Sequence, residues 1–158
     1  MATMTSNLYP PLVEDMLPSI DLSLAQYKIY FSFPAFTTRN DIDYIQISIV
    51  NQRTNVSALI SNYPVGIKVI EKKYIIKEDN TSDFNYYITI PSTDLNNGKG
   101  LDSNFYKVQL RFGRLKTSGE GIEQSYTWIN SHLDECSEWS KVCLIKGIVK
   151  PNLYINEF

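Results

Sequence analysis

The stretch at residues 104–112, NFYKVQLRF, decides the fold class. Tyr106, Val108, Leu110 and Phe112 alternate with Lys107, Gln109 and Arg111, the period of two that a half-buried strand requires. One face is large and apolar, and the other is long, polar and charged. Such a strand must lie over a core that other strands supply.

Those strands are legible on both sides of it. Downstream, KVCLIK at 141–146 predicts a last strand and a neighbour for the first. Upstream, FNYYITIP at 84–91 places Tyr86, Ile88 and Ile90 on one face. DIDYIQISIVN at 41–51 turns Ile45, Ile47 and Ile49 inward and Gln46 and Ser48 outward, and QYKIYFSF at 26–33 aligns Tyr27, Ile29, Phe31 and Phe33 before Pro34 ends it. Residues 65–70 and 73–77 read as the two strands of a hairpin around Glu71-Lys72. Pro10, Pro11 and Pro18 exclude a helix interior and a central strand from 8–20, which leaves an extended segment at the edge.

The remainder reads as connections. Residues 51–64 form a long link with at most one short helical turn, 78–83 a polar turn, 92–95 a capped turn, and 96–100 and 114–124 loops. Residues 126–134 read as a short helix, because Trp128 and His132 stand at i and i+4. About seven strands separated by turn signals, with no alternation of helix and strand, predict an all-β two-sheet sandwich with long loops and extended termini. The expected organisation is a flexible N-terminus at 1–7, one β-sandwich domain at 8–149, and at 150–158 a linker or the start of a following module. In that tail KPNLYINEF restarts an extended apolar pattern behind Pro151.

Length and composition agree with this. A chain of 158 residues fits one domain of common size and buries a core without needing disulfides or metal. Eleven Tyr and seven Phe against two Trp favour strands. The net charge of −2 comes from interspersed acids and bases, whereas phosphate binding needs a concentrated basic face. Lys68, Lys72, Lys73 and Lys77 come nearest, but Glu71, Glu78 and Asp79 interrupt them, so the run reads as a solvated hairpin surface and nucleic acid is not an expected partner. No apolar run approaches the roughly 20 residues of a membrane span. The N-terminus lacks the basic and apolar regions of a secretory signal, so synthesis in a cytosol is expected.

No constellation points to catalysis, metal or cofactor, and no catalytic, cofactor-binding or metal residue is assigned. His132 has no marked partner for a triad and reads as a loop or helix residue. Cys136 and Cys143, six residues apart, lack the spacing of a zinc site; they read as reduced, packed thiols. A disulfide requires them to face each other across a turn, and the sequence leaves that open. Asp41, Asp43, Asp79, Asp83, Asp94 and Asp102 fall in turns, where Asp commonly shapes and caps the backbone. Most aromatic rings occupy the inward phase of strands. Tyr44 and Tyr87 on the outward phase, and Phe36, Tyr63 and Trp128 in connections, are the candidates for contact with a partner.

Three features together resemble a fibronectin type III-like module. They are the proline-rich first segment, Leu95 followed by a loop and FYKVQLRF at 105–112, and SEWS at 137–140 before KVCLIK. A closer resemblance is to minor structural proteins of tailed bacteriophages and prophages of gut bacteria. DYIQISIVNQRTNVSAL at 43–59 looks like their "VQVSVxNQxTNxSAL", YPVGI at 63–67 like their "YPxGI", and 105–112 like their "YYKVQLRF". That resemblance implies a non-enzymatic virion component of the tail, neck or fibres, made in the host cytoplasm. Its partners would be other virion proteins and copies of itself. The alternative is a carbohydrate- or receptor-binding module of a host-recognition fibre or adhesin, taking a host surface glycan or receptor. Outward aromatic rings gathered on one surface would favour the alternative.

Overall fold

The computed structural model describes residues 8–16, 26–35, 37–58, 60, 67–79, 83–115 and 133–147. Within them the chain forms β1 (Gln26–Phe31), β2 (Tyr44–Asn51), β3 (Ile67–Glu71), β4 (Ile76–Lys77), β5 (Tyr86–Pro91), β6 (Phe105–Leu115), β7 (Leu133–Cys136) and β8 (Cys143–Lys146). One sheet has the order β1-β5-β4. The other runs β3-β2-β6, with β7 and β8 both pairing the far edge of β6. Every strand pair is antiparallel. The result is an all-β, sandwich-like fold with β6 central in the larger sheet.

The period of two explains which side faces the core. On β6, Val108, Leu110 and Phe112 stand opposite Ile49, Ile47 and Ile45 of β2, all buried to within 1% of full coverage. On the smaller sheet Tyr27, Ile29 and Phe31 meet Ile90, Ile88 and Tyr86. The two faces join at one end through aromatic rings. Phe112 stacks on Phe33 at 5.1 Å and meets Phe31 edge-on at 6.1 Å, and Tyr86 meets Phe33 edge-on at 4.7 Å. At the open side, Lys68 stands opposite Ile47 and therefore points inward. Its ammonium reaches Asp94 at 3.1 Å, joining β3 to the turn after β5.

The N-terminal segment is an extended edge, as its prolines predict. Leu12 bridges Ser32 beside β1, and Met16 bridges Leu144 on β8, so the segment passes from one sheet to the other. Leu8, Pro11 and Val13 are buried beneath it.

Several expectations are corrected. Residues 65–77 are not a hairpin: β3 pairs β2 and β4 pairs β5, so the chain changes sheet through the 3-10 turn Lys72–Tyr74. The sequence between them lacks the Asn-Gly or Gly-rich pair that a two-residue hairpin uses. Ile75 is buried at the crossing and anchors it. Gln46, expected outward, is 1% exposed. Arg111 stands across from it and donates Nε–H to its Oε1 at 2.6 Å, and Trp139 lies 4.5 Å from that guanidinium, so a polar and aromatic layer covers this part of the outer face. Leu133 and Asp134, expected at the end of a helix, lie in β7, and Arg114 and Leu115, expected in a loop, extend β6. The link after β2 begins with a tight turn, in which the Asn51 side chain accepts the N–H groups of Arg53 and Thr54 and Asn55 adopts φ +60°. The expectations for 1–7, for the rest of the 114–124 loop and the 126–134 helix, and for 150–158 lie outside the described residues.

SEWS at 137–140 acquires a structural meaning. Ser137 and Ser140 donate their N–H groups to the carbonyls of Phe112 and Leu110. Their hydroxyls accept the N–H groups of those same residues, at 2.9 and 3.0 Å. Two serine side chains thus replace backbone carbonyls between β7 and β8, and the two residues between them loop outward with Trp139. Just past β8, Gly147 lies so close to the Asp102 carbonyl that a Cβ there would stand 1.8 Å from its oxygen.

Replacing Leu110 by Ala should cost about 2–5 kcal/mol, the range for a buried Leu, whereas Lys107→Ala should stay within about 0.5 kcal/mol. Ser140→Ala, which strands the buried Leu110 N–H, should cost about 1–3 kcal/mol. Urea unfolding of the purified variants measures all three. Equal losses at Leu110 and Lys107 would contradict the inward and outward assignment.

Candidate functional site

The outer face of the smaller sheet gathers the side chains that its core does not use. Because directly opposed residues share a face, Tyr30 of β1, Tyr87 of β5 and Ile76 of β4 form one row across it. Lys28 and Thr89 form the next row. The Tyr30 and Tyr87 rings lie 5.3 Å apart at 45°, both part-exposed, and Ile76 is 45% exposed. Lys28 Nζ sits 4.7 Å above the Tyr87 ring.

Glu78 completes the cluster. It follows β4, where its N–H donates to the Asn85 carbonyl at 2.7 Å. Its carboxylate accepts the Tyr30 hydroxyl at 3.1 and 3.2 Å and lies 3.9 Å from Lys28 Nζ. Burial of the phenol, followed by the hydrogen bond and charge of Glu78, pushes the Tyr30 hydroxyl up to about 12. Two rings, one acceptor and one cation therefore sit together on a surface with no net charge. The arrangement can stack on and hydrogen-bond to a partner.

The residues singled out from sequence are distributed differently. Tyr87 lies on this face. Tyr44, the other outward candidate, is 2% exposed and takes no part in a surface. Burial, reinforced by the charges of Glu71 and Asp43, pushes its hydroxyl up to about 12. Phe36, Tyr63, Trp128 and His132 lie outside the described residues. Tyr30 was not among the candidates, although the alternation that buries Ile29 and Phe31 turns Tyr30 outward, and that signal could have found it.

Asp41 and Asp102 act as turn and cap groups, whereas Asp94 makes an ion pair with a residue distant in the chain. Asp41 Oδ2 accepts the N–H and hydroxyl of Thr38, Asp94 pairs Lys68, and Asp102 Oδ1 accepts the Asn104 N–H and the Tyr106 hydroxyl. These hydrogen bonds hold the carboxyls of Asp41 and Asp102 below the usual carboxylate range. The lysine run is divided between the two sheets, with Lys68 pointing inward and Lys73 paired to Glu71 at 3.3 Å.

Cys136 and Cys143 are free thiols. They pair Gly113 and Val108 on the same strand, five residues apart, which is roughly 16 Å at about 3.3 Å per residue and far beyond disulfide reach. Burial pushes the Cys143 thiol up to about 12 and that of Cys136 in the same direction. Among the described residues, no group of three or more His, Cys, Asp or Glu side chains is placed to hold a metal ion, and no helix is long and apolar enough to cross a membrane. Compared with known proteins, the chain matches no family model and no curated protein.

The two raised tyrosines set an alkaline limit on stability. An unfolded tyrosine ionises near 10, whereas Tyr30 and Tyr44 hold their protons to about 12 in the folded chain. Their contribution is complete below pH 10 and is lost as pH rises towards 12. The buried Cys143 thiol, raised from 9.0 to about 12, adds to the fall and starts it earlier. Urea unfolding at intervals from pH 9 to pH 12 should show stability falling throughout, and Tyr30→Phe should flatten the part above pH 10. A pH-independent profile across the window would contradict the buried-phenol account.

Proposed function

We propose that this chain is an immunoglobulin/fibronectin III-like module of a tailed-bacteriophage virion protein that works through protein–protein contacts, without catalysis. Strand order supports the fold type. In the immunoglobulin arrangement strands A, B, E and D form one sheet and C, F and G the other. The segment at Leu12 with β1, β5 and β4 follows the first order, and β2, β6 and β8 follow the second, with β3 as an added edge. Tyr106 supports it too, since a tyrosine near the start of strand F that bonds back upstream is a hallmark of the fold. Here the hydroxyl reaches the Asp102 side chain at 2.9 Å.

The observation that carries the functional reading is the N-terminal arm. It lies across both sheets and turns Tyr9, Leu12 and Met16 outward at 52%, 49% and 52% exposure. Val142, 38% exposed, is two residues before the bridge partner of Met16. Large apolar side chains on an extended terminal segment suit docking against other subunits, copies of this chain among them. The sequence resemblance to phage structural proteins supplies the setting, a virion assembled in a host cytoplasm.

Purified particles of the phage or induced prophage test this reading. The protein should co-sediment with them at a fixed copy number. A Leu12→Asp/Met16→Asp double variant should fold but leave the particle. Absence of the wild-type protein from intact particles would sink the proposal.

A further inference from the structure

We infer that Lys77 guards an open sheet edge of this domain and keeps a second copy of the chain from adding a strand to β4. This role is independent of the virion reading. β4 ends the smaller sheet and pairs β5 on one side. In an antiparallel ladder, bonded and non-bonded pairs alternate. The Glu78 N–H donates to the Asn85 carbonyl, so that pair is bonded, and two residues back Ile76 and Tyr87 are bonded as well. Lys77 stands between them, and its own N–H and C=O therefore point away from β5. Among the described residues nothing pairs with them there. Edges elsewhere are covered: the Asp15 carbonyl accepts the Leu144 N–H beside β8, and Leu12 exchanges two bonds with Ser32 just past β1.

An unpaired edge is a template for another strand. The side chains here make it an adhesive one, since Tyr74 and Ile76 are 58% and 45% exposed in the short apolar run Tyr74-Ile75-Ile76. Lysines flank that run, Lys72 and Lys73 before it and Lys77 after it, which is how charged residues shield such segments. Lys77 is decisive because of the face it takes. It stands opposite Tyr86, whose ring packs on Phe31 and Phe33 between the sheets. Its side chain thus has the inward phase and yet stays exposed at the margin, with Nζ 5.9 Å from the Tyr86 ring. Any strand that pairs at this edge must bond to Lys77 itself. Pairing would cover the ammonium against the aromatic layer, or set it beside the like charge of a second copy, and both are unfavourable. With two residues, β4 offers few bonds to offset that.

Sedimentation velocity over a wide concentration range, with hydrogen exchange read at the amide of position 77, tests the role. The background is the Leu12→Asp/Met16→Asp chain, so that association through the N-terminal arm is not counted. The same series on the wild-type arm, read at the same amide, serves if that background does not fold. Lys77→Val should self-associate at least about tenfold more tightly than its parent, with the position-77 amide newly protected. Lys77→Thr should behave alike and covers the case in which the valine variant does not fold. Lys77→Glu, which keeps a charge at the edge, should stay at the parent's level. No gain in a folded β-branched variant, an equal gain in Lys77→Glu, or association that leaves the position-77 amide unprotected would overturn the proposal. So would a parent chain that already pairs through this edge and protects its Lys77 N–H.

Discussion

The inward face of β6 is the constraint on which the rest of the structure depends. Its N–H and C=O groups are buried along both edges, so both edges must be paired; β2 pairs one, and β7 with β8 pairs the other. Its apolar residues must be covered, and Phe112 meets Phe31 and Phe33 of the opposite layer. Where the chain between β7 and β8 loops away, Ser137 and Ser140 supply the missing acceptors with their hydroxyls. An unpaired buried N–H costs more than a serine-mediated rung, so the interruption is tolerated because the side chains complete the ladder.

The same economy appears where the chain changes sheet. Leaving β3, it enters β4 with Ile75 buried between, and Lys68 and Asp94 tie the two layers at that side. The N-terminal segment makes the corresponding tie at the opposite edge, through Leu12 and Met16. With the core side of each sheet taken up by isoleucine and phenylalanine, tyrosines in the opposite phase are displayed outward. Their fate then depends on what lies over each sheet. Tyr44 is covered on the larger one, and Tyr30 and Tyr87 remain reachable on the smaller one.

Strands with clear alternation were legible in advance: β1, β2, β5 and β8 fall within the stretches read from the sequence, and β6 covers 105–112 of its stretch and runs on to Leu115. The candidate site was half legible, through Tyr87. Glu78 could not be assigned to it, because its role depends on a side chain 48 residues earlier in the chain. β7 was missed because LDEC has one outright apolar residue and no alternation to announce it. The hairpin at 65–77 was misread because adjacent strands in sequence usually pair, and only the destination of each strand reveals that these do not.

By itself, then, the sequence determined the class of the fold and the inward face of its principal strands, since a period of two in apolar residues has few other physical solutions. It also determined that Asp41 and Asp102 would serve turns, because their partners lie within four residues. The tertiary structure alone decided which sheet each strand joins, that Gln46 and Tyr44 are buried on a nominally outward face, and that Lys28, Tyr30, Glu78 and Tyr87 converge. Those outcomes rest on contacts between residues distant in the chain, and local pattern carries no information about which distant segment will arrive.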